Sequence, residues 1–192
     1  MKKFILFALS AAFSLNVSAQ KGLTTGVKAP AFTATDNSGK KIDLKALLKS
    51  YKSVVLFFYR GEWCPYCNKH IQQLQDSLQL LTAKGAYVIG VTPETGDNIK
   101  KTIDKTHASF SIVQDKGYAI MKSYDVNYVL DEAIVNKYKG FGLDLNAANG
   151  NAEHVLPVPA TYVINSSGII SFVHFDKDYR KRATVSDILN VL

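Results

Sequence analysis

Cysteine is scarce in this chain, which has two among its 192 residues, and tandem repeats, low-complexity stretches and interdomain linkers are absent. These absences indicate one folded unit, and a hydrophobic content of 47% is enough to give it a core. The formal net charge of +7 comes from scattered lysines and arginines. The densest group, Lys100, Lys101 and Lys105, has no interleaved aromatic residues, so we interpret it as a solvated helix face and expect no nucleic-acid partner.

Long apolar runs are also lacking, apart from one at the start of the chain. Lys2 and Lys3 precede a run from Phe4 to Leu15 that is interrupted only by serine, and small residues follow at 17–19. The run is too short for a bilayer, which needs about 20 residues. We therefore predict that residues 1–19 are a signal peptide cleaved near Ala19. The mature chain is then exported without a stable membrane anchor, to the periplasm or the extracellular space.

The two cysteines, Cys64 and Cys67, are separated by only two residues. A loop this small removes little entropy from the unfolded chain, so a disulfide across it would stabilise the fold poorly. Zinc would need four ligands, and the four histidines of the chain have no spacing that forms a second ligand pair. The pair therefore predicts redox chemistry, with an inert disulfide and a metal site as the alternatives.

The segments around the cysteines support a redox role. The apolar run Val54–Tyr59 predicts a buried strand, and a helical pattern extends from Pro65 to about Ala83. Proline is favoured at the first position of a helix, which places both cysteines at the helix N-terminus. The partial positive charge and free N–H groups of a helix N-terminus stabilise a thiolate, the reactive form of cysteine.

The remaining pattern predicts an α/β protein with a central mixed β-sheet and helices on both faces. A short strand and turn at 41–48 precede a first small helix, and further strands are predicted at 54–59, 86–91, 110–113, 161–164 and 169–175. Further helices are predicted at 65–83, 97–107, 116–124 and 186–192. The segment 125–157 is expected to be irregular.

Four parts of the chain resemble the thioredoxin superfamily, over a single domain at 24–192: residues 28–40, 57–59, 158–164 and 165–170. The run Tyr-Arg-Gly-Glu-Trp-Cys-Pro-Tyr-Cys at 59–67 is most similar to the peroxiredoxin-like subgroup of the alkyl hydroperoxide reductase and thiol-specific antioxidant family, as is the tail at 175–182. The resemblance implies a thioredoxin-like fold with an N-terminal extension and an insertion before a late β-hairpin. It also implies an antioxidant enzyme that reduces hydroperoxides without a cofactor or metal.

The chain departs from the typical peroxiredoxin loop, which reads Pro-x-x-x-Thr-x-x-Cys. Arg60 stands at the proline, Cys64 at the threonine and Cys67 at the peroxide-attacking cysteine. The arginine that typical members place before the late strand is also missing, since Pro159 lies near that position. Two standard donors for the peroxide are thus lost, and Arg60 is a candidate replacement.

Two orders of reaction lead to the same Cys64–Cys67 disulfide. In the thioredoxin order, Cys64 is the more exposed thiol, attacks a substrate disulfide and is released by Cys67. In the peroxiredoxin order, Cys67 attacks a hydroperoxide, becomes a sulfenic acid and condenses with Cys64. The residues identify the pair and leave the order open.

Three loop residues are candidates for supporting roles. Trp63 is either an apolar lip that meets a protein substrate or a packed loop aromatic. Arg60 lowers a thiol pKa, orients an oxyanion, or simply ends the strand in solvent. Glu62, the acid nearest to Cys64 in sequence, either moves protons during exchange or is simply solvated.

Three further candidates lie outside the loop. The superfamily pattern implies that Pro159 follows a cis peptide bond and holds a substrate strand against the disulfide. His70 shares a helix face with Cys67, so it either protonates a leaving thiolate or is exposed. Arg182 matches the subgroup tail without an assigned chemistry.

The alternatives to peroxide reduction are thioredoxin-like exchange with protein disulfides and, more distantly, a copper(I)-binding metallochaperone in which His154 joins the two cysteines. The expected electron donor is a thioredoxin-like protein or a glutathione-type thiol. The substrate is a hydroperoxide or a protein disulfide.

Overall fold

The computed structural model describes residues 21–192, so the proposed signal peptide at 1–19 lies outside the described residues. The strands are β1 Thr33–Thr35, β2 Lys41–Asp43, β3 Ser53–Phe58, β4 Ala86–Thr92, β5 Ser111–Gln114, β6 Asn127–Val129, β7 Val155–Pro157, β8 Ala160–Asn165 and β9 Ile170–Phe175. The helices are α1 Leu44–Ser50, α2 Pro65–Asp76, α3 Leu78–Ala83, α4 Gly96–Thr106, α5 Ala119–Ser123, α6 Glu132–Gly140, α7 Leu145–Asn149 and α8 Val185–Val191. Within this part of the chain, none of the helices combines the length and apolarity that a membrane span requires.

Five strands form the central sheet in the order β5-β4-β3-β8-β9. Strand β3 is parallel to β4 and antiparallel to β8, which confirms the expected mixed sheet. All six residues of β3 are buried, because helices cover both faces of the sheet. The parallel connection through α2 and α3 brings the ends of β3 and β4 to one edge of the sheet, where the cysteine loop follows β3.

Alternate residues of β3 enter two separate cores. Leu56 packs on one face with α1 and α5, whereas Phe57 packs on the other face with α2, α4 and α8. Both cysteines belong to the second core. The cysteine loop is therefore anchored to this second core, and burial of each large apolar side chain there stabilises the fold by about 1.5–3 kcal/mol.

The structure corrects two of the predicted elements. The helix predicted at 65–83 is two helices, because Ser77 leaves the helical conformation with φ −101° and ψ 6°. The segment 125–157, expected to be irregular, contains β6, α6, α7 and β7. Strands β6 and β7 pair Asn127 with Pro157, a contact between residues far apart in sequence that no local pattern reveals.

The insertion formed by 125–157 precedes the late hairpin of β8 and β9, as the resemblance implied. A small third cluster of Leu130, Leu145 and Leu156 supports it. Trp63 and Tyr138 pack against this cluster. The insertion is thereby joined to the cysteine loop and forms a wall beside it.

Candidate functional site

Cys64 and Cys67 lie at the start of α2, directly beyond the end of β3. Cys64 is the N-cap residue, Pro65 takes the first helical position, and the N–H of Cys67 donates to the carbonyl of Cys64 at 3.0 Å. Both cysteines are free thiols. The predicted placement at a helix N-terminus is therefore present.

Both thiols are buried, and the larger exposure expected for Cys64 amounts only to 1% against 0% for Cys67. The insertion and the C-terminal tail lie over the loop and cover it. Cys64 nevertheless lines a surface cavity, and Cys67 does not. The two thiols differ in what they face rather than in their exposed area.

Cys67 is the thiol that the site stabilises as a thiolate. Its Sγ accepts a hydrogen bond from the Arg60 backbone N–H at 3.5 Å and another from the Arg182 guanidinium at 3.5 Å. Burial by itself would raise the pKa of Cys67, but the hydrogen bond from the Cys64 thiol, the charge of Arg182 and the Arg60 N–H lower it to about 6.

The neighbouring thiol is held in the opposite state. Cys64 donates its S–H to Cys67, and this hydrogen bond together with burial raises the pKa of Cys64 far above that of an ordinary thiol. The charge of Arg60 opposes the shift without reversing it. At neutral pH the pair is therefore a Cys67 thiolate hydrogen-bonded by a neutral Cys64.

Arg182 supplies the donor that the late strand lacks. It reaches Cys67 from the C-terminal tail, where its guanidinium also donates to the carbonyls of Tyr179 and Lys181. Sequence reasoning placed Arg182 in the family tail without a role, since no spacing rule connects positions 67 and 182. Only the fold brings these two residues together.

Arg60 is buried, at 2% exposure, so the interpretation of a solvated strand end is wrong. Its guanidinium lies 5.0 Å from the ring of Trp63, 5.7 Å from that of Tyr138 and 4.4 Å from that of Tyr179. It also donates a hydrogen bond to the Tyr138 hydroxyl. The side chain thus occupies an aromatic cage on the cavity side of the loop, while the backbone N–H of Arg60 donates to Cys67 Sγ.

Glu62 and Trp63 occupy the same loop with different partners. The Glu62 carboxylate pairs with Lys105 at the surface, and Trp63 lines the cavity with its ring 5.4 Å from that of Tyr138. The Glu62 backbone N–H donates to a carboxyl oxygen of Glu94 at 2.7 Å. Glu62 therefore holds the loop through its contacts with Lys105 and Glu94, and Trp63 forms one wall of the cavity.

Sequence reasoning missed Glu94, a fully buried carboxyl behind the cysteine loop. Burial raises the pKa of Glu94 to about 8, and the charges of Glu62 and Cys67 add to this effect against the hydrogen bond from the Glu62 N–H. Its second oxygen, Oε2, has no partner within the described residues. A usable signal existed, because Glu94 lies two residues after the end of β4, the parallel neighbour of the strand that leads to the cysteines.

Pro159 and His70 are both buried, and the structure corrects one expectation for each. All described peptide bonds are trans, so the cis bond implied for Pro159 is absent. The Val158 N–H donates to the carbonyl of Val126, which continues the extended path of β7 into β8. Burial, helped by the charges of Arg182 and His174, lowers the pKa of His70 to about 3. His70 is therefore neutral and packed against Phe57 instead of exposed.

His154, the third ligand of the hypothetical copper site, does not join the two cysteines in the structure. His154 lies in the insertion, where its Nδ1 is 3.6 Å from the carboxylate of Glu132. Across residues 21–192, no three side chains of the His, Cys, Asp and Glu types gather in a geometry suited to a metal ion. His154 is thus separate from the two cysteines.

Comparisons with known proteins identify the family of the chain. The model of the AhpC/TSA family matches residues 25–173. Chloroplastic peroxiredoxin Q of Sedum lineare is 24% identical over 170 residues, covering 88% of this chain and 78% of that protein. Thiol-disulfide oxidoreductase ResA of Bacillus cereus is 30% identical over 149 residues, covering 71% and 84%.

A solved structure shows the same fold. The peroxidoxin BcpB of Mycobacterium tuberculosis matches with a TM-score of 0.66 at 19% identity, covering 87% of this chain and 94% of that one. The thioredoxin-like α/β fold and the thiol chemistry, peroxidase or oxidoreductase, expected from the sequence are both confirmed. The chain belongs to the AhpC/TSA family.

Proposed function

We propose that this protein reduces hydroperoxides, with Cys67 as the attacking thiolate and Cys64 as the resolving thiol. The observation that carries the proposal is the convergence of the Arg60 N–H and the Arg182 guanidinium on Cys67 Sγ. A thiolate is the nucleophile in peroxide reduction, and Cys67 is the cysteine held in that form. A buried nucleophile also favours a small peroxide over a folded protein as its substrate.

The reaction proceeds in two steps. The Cys67 thiolate attacks the terminal oxygen of a hydroperoxide, the O–O bond breaks, and the alkoxide leaves and takes up a proton, which generates a sulfenic acid on Cys67. Cys64 then attacks that sulfur as its S–H proton passes to the leaving hydroxide, so that the S–O bond breaks and water leaves as the disulfide forms. Arg182 donates at the site where negative charge shifts from sulfur to oxygen, which lowers the barrier electrostatically.

Stopped-flow oxidation of the reduced protein tests the order of attack. Hydrogen peroxide and an organic hydroperoxide are mixed with wild type, Cys64→Ser and Cys67→Ser. We expect rapid oxidation to persist without Cys64, leaving a trappable sulfenic acid on Cys67, and to disappear without Cys67. Slow peroxide oxidation beside rapid, Cys64-dependent exchange with a protein disulfide would refute the proposal.

A thiol-disulfide oxidoreductase acting on protein disulfides is the second candidate. Its support is the 30% identity to ResA, whose name describes that activity. The geometry argues against it, since exchange requires an accessible attacking thiolate and Cys64 is both covered and neutral. The stopped-flow comparison distinguishes the two candidates directly.

Export and an external electron donor complete the proposal. A signal peptide cleaved near Ala19 would deliver the enzyme to the periplasm or the extracellular space, where a thioredoxin-like protein or a glutathione-type thiol regenerates the cysteines. Cell fractionation with N-terminal sequencing of the mature chain tests the first point. An uncleaved chain in the cytosol would refute it.

A further inference from the structure

Arg60 carries a buried charge that has no acidic partner. It is 2% exposed, and no aspartate or glutamate of residues 21–192 forms an ion pair with it. Its Nε also lacks a hydrogen-bond partner within that part of the chain. A buried guanidinium is costly unless an anion or several hydrogen bonds compensate it, and aromatic rings do so only in part.

The unpaired guanidinium borders a cavity that reaches one cysteine. This cavity has a volume of about 450 Å³ and is lined by Arg60, Cys64, Trp63, Tyr138, Phe141 and Tyr179 among others. Phe141 is 78% exposed and forms its outer rim. A molecule that enters here meets aromatic walls, the Arg60 charge and the sulfur of Cys64, whereas Cys67 does not line the cavity. Glu62 also lines the cavity, but its carboxylate is paired with Lys105.

We propose that this cavity binds a small thiol bearing a carboxylate, which pairs with Arg60 and reduces the Cys64–Cys67 disulfide by attack on Cys64. The inference rests on the proposed redox cycle and adds the chemical class of its reductant. A guanidinium fork matches a carboxylate in charge and in geometry, so it orients the thiol as well as attracting it. Arg60 is 2% exposed, so water screens such a pair only weakly, which strengthens it.

The reductive step balances with two molecules of the thiol. The first thiolate attacks Cys64 Sγ, the Cys64–Cys67 bond breaks, a mixed disulfide forms on Cys64, and Cys67 leaves as a thiolate. The second thiolate attacks the sulfur of the bound thiol, forming its symmetrical disulfide and releasing Cys64, which takes up a proton. Arg182 and the Arg60 N–H stabilise Cys67, and a stabilised thiolate is the better leaving group.

The shape of the cavity favours a small reductant over a protein. Tyr138 and Phe141 of the insertion stand over Cys64 together with Tyr179 of the tail, and Cys64 is 1% exposed. A protein donor would have to place its own cysteine below this rim. A thiol of a few heavy atoms is small compared with the cavity volume of about 450 Å³.

The test measures reduction of the preformed disulfide by 3-mercaptopropionate, which carries a carboxylate, and by 2-mercaptoethanol, which does not. With rates corrected to thiolate concentration, we expect at least a tenfold preference for mercaptopropionate in the wild type. Arg60→Gln is expected to abolish the preference and Arg60→Lys to retain part of it. Arg180→Gln is the matched control, because it removes an exposed positive charge that pairs with Asp178 on the tail.

A second measurement needs no variant. Trp63 is the single tryptophan of the chain and lies 5.0 Å from the Arg60 guanidinium, so its fluorescence reports on the cavity. Titration with 3-phenylpropionate is expected to give a saturable change that 3-phenylpropanol does not give. Equal rates for both thiols, a preference that survives Arg60→Gln but not Arg180→Gln, or rapid reduction only by a thioredoxin would each overturn the inference. The peroxide half-reaction is measured separately, so its outcome is independent of this result.

Discussion

Replacing Glu94 by glutamine is expected to change how the free energy of unfolding depends on pH. The wild-type carboxyl is fully buried and has a pKa of about 8, against an ordinary value of 4.5. Between these two values the unfolded chain releases the proton while the folded protein retains it. The wild type therefore loses stability as pH rises from about 4.5 to 8, and the variant has no such loss at this position.

The size of the effect follows from the separation of the two pKa values. Each pH unit between 4.5 and about 8 contributes about 1.4 kcal/mol, so the limit is about 5 kcal/mol. Relaxation around a newly formed charge reduces this limit, and we expect at least about 2 kcal/mol at pH 8. Near pH 4.5 the difference is small, because the glutamine carbonyl can still accept the Glu62 N–H.

Urea unfolding followed by far-ultraviolet circular dichroism, in reductant, at several pH values from 4.5 to 8.5 provides the measurement. Cys67 acts in the opposite direction, since its lowered pKa adds stability above about 6, but it is present in both proteins. Glu132→Gln is the control, because that side chain is 77% exposed and its replacement should change stability little at any pH. A difference between wild type and Glu94→Gln that stays constant across the range would refute the reasoning.

Three other changes have defined outcomes. Arg182→Met removes one charged donor to the Cys67 thiolate, so the midpoint of iodoacetamide labelling of Cys67 should move well above pH 6 and peroxide oxidation at pH 7 should slow by about tenfold. An unchanged labelling profile would contradict this role. Gly61→Ala would place a methyl group 2.4 Å from Nε1 of Trp63, so urea unfolding should show a loss of about 1–3 kcal/mol, and an unchanged midpoint would argue against the packing. His70→Leu should reduce the loss of stability that occurs as pH falls from 6.5 to about 3, because in this range the unfolded chain binds a proton that the buried imidazole of the folded protein does not bind. Parallel acid-unfolding curves for wild type and variant would exclude this contribution of His70.

Local sequence patterns predicted the strands and helices that are specified by residues close together in the chain. Strand β3 and the late hairpin have strong apolar runs, and Pro65 marks the start of α2, so these elements needed no long-range information. The break at Ser77 and the β6–β7 pair were not predictable in this way. Their conformations depend on contacts with residues distant in the chain, which a local pattern does not contain.

The sequence by itself determined the redox pair, its position at a helix N-terminus and the family, because these depend on residue types at short spacing. Only the tertiary structure decided which cysteine is the thiolate. That difference arises from the hydrogen bond between the two thiols and from Arg182, which lies 115 residues beyond Cys67 and donates to its sulfur. It also decided that Arg60 and Glu94 are buried, one as an unpaired cation and the other as a carboxyl with a raised pKa. Burial and charge pairing depend on the packing of the whole chain, and they give two similar thiols opposite pKa shifts.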